Sequence, residues 1–430
     1  MTREELGKED FYGLSIAPTL LDRIESMGFK HPTPIQHKAI PIACRGEDVV
    51  GIAQTGTGKT LAFCVPMLQQ MSARGKKGLI LLPTRELAIQ VLETLTKLGG
   101  PLGLRTALLI GGTNQSPQVR QLKAKPHIIV ATPGRLIDMM EQKHAQLDQI
   151  GVLVLDEADR MLDMGFVEAV EAIAATLPAT RQTLLFSATL STTILQLSKH
   201  LMKEPREIRI TPHQCSSEHI EQRLHYTDDL THKRRLLDHV LTQKEVDMAI
   251  VFTATKHYAD TLVEHLQKEG HDAAALHGDM RQRQRTHTIN RLRRGEIRIL
   301  VATDVAARGI DVPEITHVIN FDLPRTTEDY VHRIGRTGRA GAKGVALSFA
   351  TPCEAQLVRR IEQFTKQSMQ RVSIPGFEPK CRDTQNTPSS PRSHKQGMPW
   401  RKKPTQPYAG KAPKRKHRPS TPRTAYASGR

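Results

Sequence analysis

Residues 151 to 159 read Gly151, Val152, Leu153, Val154, Leu155, Asp156, Glu157, Ala158, Asp159. An uninterrupted apolar run of this length is the pattern of a strand buried on both faces, and such strands belong to parallel sheets. The run stops on two adjacent carboxylates. In an open α/β sheet the carboxyl ends of the strands are where ligands bind. Neighbouring acids are costly unless a cation sits on them, yet Asp and Glu runs are also common on solvated helices, so the tetrapeptide alone leaves both readings open.

A second stretch, about a hundred residues upstream, narrows the choice. Ala53, Gln54, Thr55, Gly56, Thr57, Gly58, Lys59, Thr60 follows the apolar run from Asp48 to Ile52 and opens a helical pattern at Leu61. A glycine-rich turn at a helix N-terminus points backbone N–H groups at phosphates, Lys59 adds positive charge near the terminal phosphates, and the Thr60 hydroxyl suits Mg²⁺. This is a phosphate-binding loop, with Ala53 standing where the general pattern has its first glycine. Asp156 is then expected to hold Mg²⁺ in its outer coordination shell, and Glu157 to orient and deprotonate the attacking water, so hydrolysis is the favoured reaction.

Apolar runs recur at 78–82, 106–110, 127–130, 152–155 and 182–186, with helical patterns between them. The series restarts at 248–252, 297–301, 317–321 and 344–349. Strands alternating with helices imply parallel sheets with right-handed crossovers. Two tandem α/β domains are expected, over residues 1–206 and 218–370, joined by a polar connection over 207–217. The second half has no phosphate-binding loop of its own but carries His332, Arg333, Ile334, Gly335, Arg336, Thr337, Gly338, Arg339. Arg336 and Arg339 lie three apart, on one face if helical, and two guanidinium groups so placed suit a γ-phosphate.

Composition adds a third region. Of a net charge of +18, twelve Lys or Arg lie between Thr384 and Arg430, without an Asp or Glu and with eight prolines. Residues 371–430 cannot build a core and are expected to form a disordered basic tail, with Trp400, Tyr408 and Tyr426 available to stack on bases. The five cysteines, Cys44, Cys64, Cys215, Cys353 and Cys381, form no CxxC pair, which argues against a metal cluster or a disulfide framework and fits a reducing compartment. No stretch reaches the roughly 18 apolar residues of a bilayer span. A soluble, cytoplasmic protein with no membrane partner is expected.

Taken together, these motifs resemble those of the DEAD-box ATP-dependent RNA helicases over about residues 11 to 370, and most closely the bacterial RhlE-type members. Gly28, Phe29, Pro32, Thr33, Pro34, Ile35 and Gln36 resemble the family's Q motif, with Phe11 the upstream aromatic. The resemblance implies that Gln36 hydrogen-bonds adenine while a phenylalanine stacks on it, which favours ATP. It assigns Pro83, Thr84, Arg85, Gly111, Gly112, Thr132, Pro133, Gly134 and Arg135 to RNA in the first domain, and Thr253, Gln282, Arg285 and Thr303 in the second. Arg308 and Asp311 would serve the nucleotide. Ser187, Ala188 and Thr189, with Asp159 and His332, would couple hydrolysis to strand separation.

The implied fold is two RecA-like parallel-sheet domains flanking an ATP and RNA cleft. The implied activity is RNA-stimulated ATP hydrolysis with Mg²⁺, driving local, poorly processive separation of short RNA duplexes without sequence preference, or remodelling of RNA–protein complexes. Ribosomal precursor particles or an RNA-degrading assembly are the expected partners. Two rival readings are an RNA annealing chaperone or clamp acting through the basic tail, and a DNA-directed motor of the same superfamily.

Overall fold

A computed structural model describes residues 10–54, 56–210, 220–307, 312, 315–338 and 343–380. All of them lie in a compact unit that ends at Arg382. Within it, two seven-stranded sheets stand in sequence, and every strand pair in both is parallel.

The first lobe contains β1 (Val49–Ile52), β2 (Lys77–Leu81), β3 (Thr106–Leu109), β4 (Ile128–Ala131), β5 (Ile150–Leu155), β6 (Gln182–Ser187) and β7 (Arg206–Arg209), in the order β3-β4-β2-β5-β6-β1-β7. The second contains β8 (Ile220–Tyr226), β9 (Ala249–Phe252), β10 (Ala273–Leu276), β11 (Ile299–Ala302), β12 (His317–Asn320), β13 (Gly344–Ala350) and β14 (Gln370–Arg371), in the order β10-β11-β9-β12-β13-β8-β14. The two orders are the same list shifted by seven. Each strand of one sheet therefore has a positional counterpart in the other.

The sequence pattern explains why β5 sits at the centre. All six of its residues are buried. Val152 and Val154 enter the apolar layer on one face, while Leu153 and Leu155 enter the layer on the other. Strands with two buried faces need helices on both sides, which the intervening segments supply. Because β5, β6 and β1 are neighbours, their carboxyl ends bring Asp156, Ser187 and Ala53 to one edge of the first lobe. Ala53 N donates to Ser187 O at 2.9 Å, and Asp156 N to Leu81 O at 3.1 Å.

The expected domain limits move at two points. Residues 206–209, expected at a domain end and in a linker, form β7, paired with β1 through Val49↔Arg206 to Ile52↔Arg209. An edge strand is solvated on one side, so Arg-Glu-Ile-Arg needs no apolar run. The expected tail start at 371 is likewise too early. Arg371 lies in β14, Val372 N donates to Leu224 O, Phe377 packs with His239 at a ring separation of 4.9 Å, and Lys380 N donates to Asp228 Oδ2. Most of the expected linker and all of the Thr384–Arg430 segment lie outside the described residues. Among those described, no helix is long and apolar enough to cross a membrane.

Candidate active site

The glycine-rich turn is held in shape by its backbone. Gly56 and Gly58 both have φ of +86°, a region that side chains disfavour, and a Cβ on Gly58 would overlap the Gln36 amide. Thr57 Oγ1 donates to Gln54 O at 2.7 Å. The helix that follows, Lys59–Arg74, has Gly58 as its N-cap and no capping side chain, so its first N–H groups are open to an anion. Thr55 lies outside the described residues.

Lys59 is 6% exposed, and its Nζ has no hydrogen-bond partner. Asp156 is 5% exposed and accepts from Glu157 N at 2.9 Å. Burial pushes the Asp156 carboxyl up to about 6, with Lys59 pulling it down and Glu157 pushing it further up. A buried ammonium without a partner, beside a carboxylate that resists ionising, is an arrangement that a bound phosphate with a divalent cation relieves. Glu157 itself adopts φ 51° and ψ 50°. Such a conformation costs a non-glycine residue on the order of 1 kcal/mol and is found at functional sites.

Asp159 connects this edge to the end of β6. Its Oδ2 accepts from Ala188 N at 3.1 Å, Thr189 N at 3.0 Å and Thr189 Oγ1 at 3.2 Å, and Ser187 Oγ donates to Thr189 O at 2.7 Å. Gln36 is buried in the helix Pro34–Cys44. Its Oε1 accepts from Thr33 N at 2.9 Å and its Nε2 donates to Gly58 O at 2.9 Å, tying the amide to the phosphate loop. One amide hydrogen and one lone pair are left for a ligand edge. Phe11 does not join it. At 3% exposure it belongs to the apolar core, whereas Phe29, at 39%, presents an open ring.

On the opposite lobe, the helix Thr327–Ile334 ends at the Gly335 C-cap. Arg336 therefore lies beyond the helix, and the condition for sharing a helical face with Arg339 does not hold at Arg336. Arg336 is buried in the turn that follows and donates from Nε to His332 O at 3.3 Å, and Arg339 lies outside the described residues, as do Arg308 and Asp311. Burial and the nearby Arg160 hold the His332 imidazole down to about 3, against the pull of Asp159, so it is neutral. Arg333, which the sequence reading left without a role, braces the helix. It pairs with both oxygens of Asp304 at 2.6 and 2.8 Å and donates to Asn320 Oδ1 and Asp322 O.

Several of the residues assigned to RNA lie at helix starts or beside Arg85. Thr84 caps the helix Arg85–Gly99 and accepts from Leu87 N, and Thr132 with Pro133 opens the helix Pro133–Glu141. Gly112 leaves room for the Arg85 guanidinium, which a Cβ would overlap, and Gly111 lies beside it. Gly134 is open to solvent, and Arg135 has a buried Nε and Nη1 without hydrogen-bond partners. Pro83 is buried and Thr303 partly exposed.

Three other residues do not face outward. Thr253 is fully buried and donates to Thr255 O. Gln282 and Arg285 are buried against the first lobe. Gln282 Nε2 donates to Glu86 Oε1 at 3.1 Å, and Arg285 Nε donates to the same oxygen at 2.8 Å. Arg285 also donates to His277 O and Ala306 O, while Arg85 Nη1 reaches Gln282 Oε1 at 3.4 Å. Two buried donors on the Glu86 carboxylate describe a clamp between lobes, so Gln282 and Arg285, expected at the strand, are here engaged by the first lobe. Glu86 follows Arg85 directly in the chain, but a partner 199 residues away leaves no local signal.

Residues 33–197 match the DEAD/DEAH box helicase family, and residues 232–341 match the helicase conserved C-terminal domain. A protein of Bacillus cereus described as DEAD-box ATP-dependent RNA helicase CshA is 44% identical over 372 residues, covering 86% of this chain and 70% of the relative. This chain belongs to the DEAD-box ATP-dependent RNA helicases. A helicase of the same description from Geobacillus kaustophilus is also 44% identical over 372 residues, covering 86% of this chain and 79% of the relative. Among solved structures, S. cerevisiae Dbp5 bound to RNA and ADP BeF3 superposes with a TM-score of 0.77 at 32% identity, over 84% of this helicase and 95% of Dbp5. The two sheets are accordingly the tandem RecA-like domains of the family, and Asp156 to Asp159 is its naming tetrapeptide.

Proposed function

We propose that this helicase hydrolyses ATP in the cleft between its lobes and uses the resulting opening and closing to separate short RNA duplexes locally. One observation carries the reading. Arg160, next to the acid tetrapeptide of the first lobe, lines a single cavity together with His332, Arg333 and Arg336 of the second.

In this reading the loop from Ala53 to Thr60 and Lys59 cradle the phosphates, Gln36 reads the adenine edge, and the Phe29 ring covers its face. Asp156 and Thr60 are oxygen donors suited to a hard cation and would hold Mg²⁺. The ion supplies charge neutralisation at the phosphate oxygens. Glu157, set off the helix by its left-handed backbone, takes the proton of the attacking water. Arg336, with Arg339 beyond it in sequence, balances the charge that develops on the γ-phosphate.

RNA is held through its backbone. The helix N-termini at Thr84 and Thr132 and the guanidinium of Arg135, paired with Asp138 at 3.5 Å but with its Nη1 unbonded, are phosphate-binding groups, which position a strand without reading sequence. A nucleotide that needs both lobes favours their contact, and a strand that spans both lobes favours the same contact, so each tightens the other. A track shaped for a bent single strand excludes an A-form duplex, hence local melting and low processivity. Matched RNA and DNA oligonucleotides test the substrate assignment in a steady-state ATPase assay. Stimulation by RNA at least about tenfold above that by DNA is expected, and equal stimulation would overturn it.

A further inference from the structure

The Glu86 cluster joins the lobes on the side of the strand-binding helices. A second connection lies on the nucleotide side, at a residue the motif reading passes over. Arg160 follows the tetrapeptide directly and is 3% exposed. Its Nη1 donates to Asp329 Oδ1 of the other lobe at 3.3 Å, a partner 169 positions away in sequence. Its Nη2 is buried without a hydrogen-bond partner and adjoins a cavity of about 10 Å³, room for no more than one water.

Both ends of this pair are fixed from behind. Arg160 follows Asp159, whose Oδ2 holds Ala188 and Thr189. Asp329 sits in the first turn of the helix Thr327–Ile334. Thr326, the N-cap, accepts from Asp329 N at 3.2 Å and donates to Asp329 Oδ2 at 2.9 Å, which leaves Oδ1 directed at Arg160. One turn further along the same helix is His332, then Arg333, and just past its end Arg336. The helix spans eight residues and is pinned by the paired Arg333 and Asp304, so it moves as a rigid piece. Whatever sets Asp329 against Arg160 also sets where Arg336 stands, beside the same cavity.

The contact also depends on the state of the cleft. When the lobes meet, Arg160 is buried, and removing Asp329 would leave that charge uncompensated, which is strongly unfavourable. When the lobes part, the guanidinium returns to water and loses nothing. We propose that Arg160 and Asp329 form a latch that holds Arg336 in register with Glu157. Both are positioning residues, and the assignment rests on the hydrolytic reading above.

Arg160→Asp, Asp329→Arg and the double exchange test it in the full chain. Two quantities are read: kcat for ATP at saturating RNA, and RNA affinity with and without a non-hydrolysable ATP analogue. Each single variant should lower kcat on the order of tenfold and reduce the analogue-dependent gain in RNA affinity, while affinity without nucleotide stays within about twofold. The double exchange should recover most of both losses, since only a direct pair gives that coupling. Asp329→Asn, which keeps the side-chain shape, should show the same losses with an unchanged melting temperature, so a misfolded charge reversal does not blur the result. Unaltered kcat in the single variants, or a double exchange no better than the worse single, overturns the latch alone. Absence of RNA-stimulated hydrolysis in the unaltered chain overturns the hydrolytic reading and the latch with it.

Discussion

The two lobes share one strand order and differ in what they leave unsatisfied. β1 and β8 occupy the same position in their sheets, one strand from the edge. β1 leads into the glycine turn and the uncapped helix of Lys59, whose ammonium has no partner. β8 leads into Thr227, Asp228 and Asp229, and Asp229 accepts from His232 N at 2.8 Å at the start of the helix Leu230–Leu241. A carboxylate occupies the place where the first lobe can accept a phosphate. Lys233, buried like Lys59, donates to Phe321 O at 2.8 Å and reaches Asp322 Oδ1 at 3.4 Å. The same fold thus carries a lysine spent on packing and a lysine kept for a ligand.

Exchanging the fates of the two lysines breaks this comparison most sharply. Lys59→Ala should lower kcat/KM for ATP by about 10²–10³-fold, the scale of losing a charge-stabilising donor, and should not lower the melting temperature, because a buried unpaired ammonium is removed with it. Lys233→Ala should do the reverse. Hydrolysis by the folded protein persists, while stability falls by about 1–3 kcal/mol because Phe321 O and Asp322 lose a donor. Thermal melting and steady-state hydrolysis on the two variants check both halves. A Lys233 variant that is inactive yet fully stable would dissolve the distinction.

A smaller effect separates the lobes by pH. His225 on β8 is held down to about 4 from an ordinary 6.5 by burial and by Arg223. Above 6.5 it is neutral in both folded and unfolded chains and has no effect. Between 6.5 and about 4 the unfolded chain binds a proton that the folded one refuses, so the second lobe loses about 1.4 kcal/mol per pH unit across that window. Hydrogen exchange followed by mass spectrometry should show 220–226 and its neighbours opening before β5 as pH falls. His225→Phe should reduce the difference, the remainder coming from His317 and His332, which burial also holds down.

The glycine turn, the strand-end acids and the doubled series of apolar runs were legible because each is local, a few residues whose spacing carries the chemistry. β7, β10 and β14 were not. Arg-Glu-Ile-Arg and the two-residue β14 are edge strands that need no apolar run, and the alanines of β10 carry little strand propensity. β8 reads as a mixed pattern because only alternate residues of its first half are buried. Phe11 and Phe29 are equally aromatic in sequence, and only packing puts one in the core and leaves the other open. The contacts of Arg160 with Asp329 and of Arg285 with Glu86 join positions 169 and 199 residues apart. No periodicity announces such pairs.

The central claim is that the acids of one lobe and the arginines of the other make a single site, which hydrolysis reopens. Glu157→Gln tests it most directly, because the substitution keeps the shape of the side chain and removes the group that takes the proton from water. The quantity to measure is the rate at which labelled RNA leaves that variant in saturating ATP. The account predicts release slowed by at least about a hundredfold relative to the unaltered helicase, the lobes staying joined over intact ATP. Release as fast as from the unaltered helicase would contradict it.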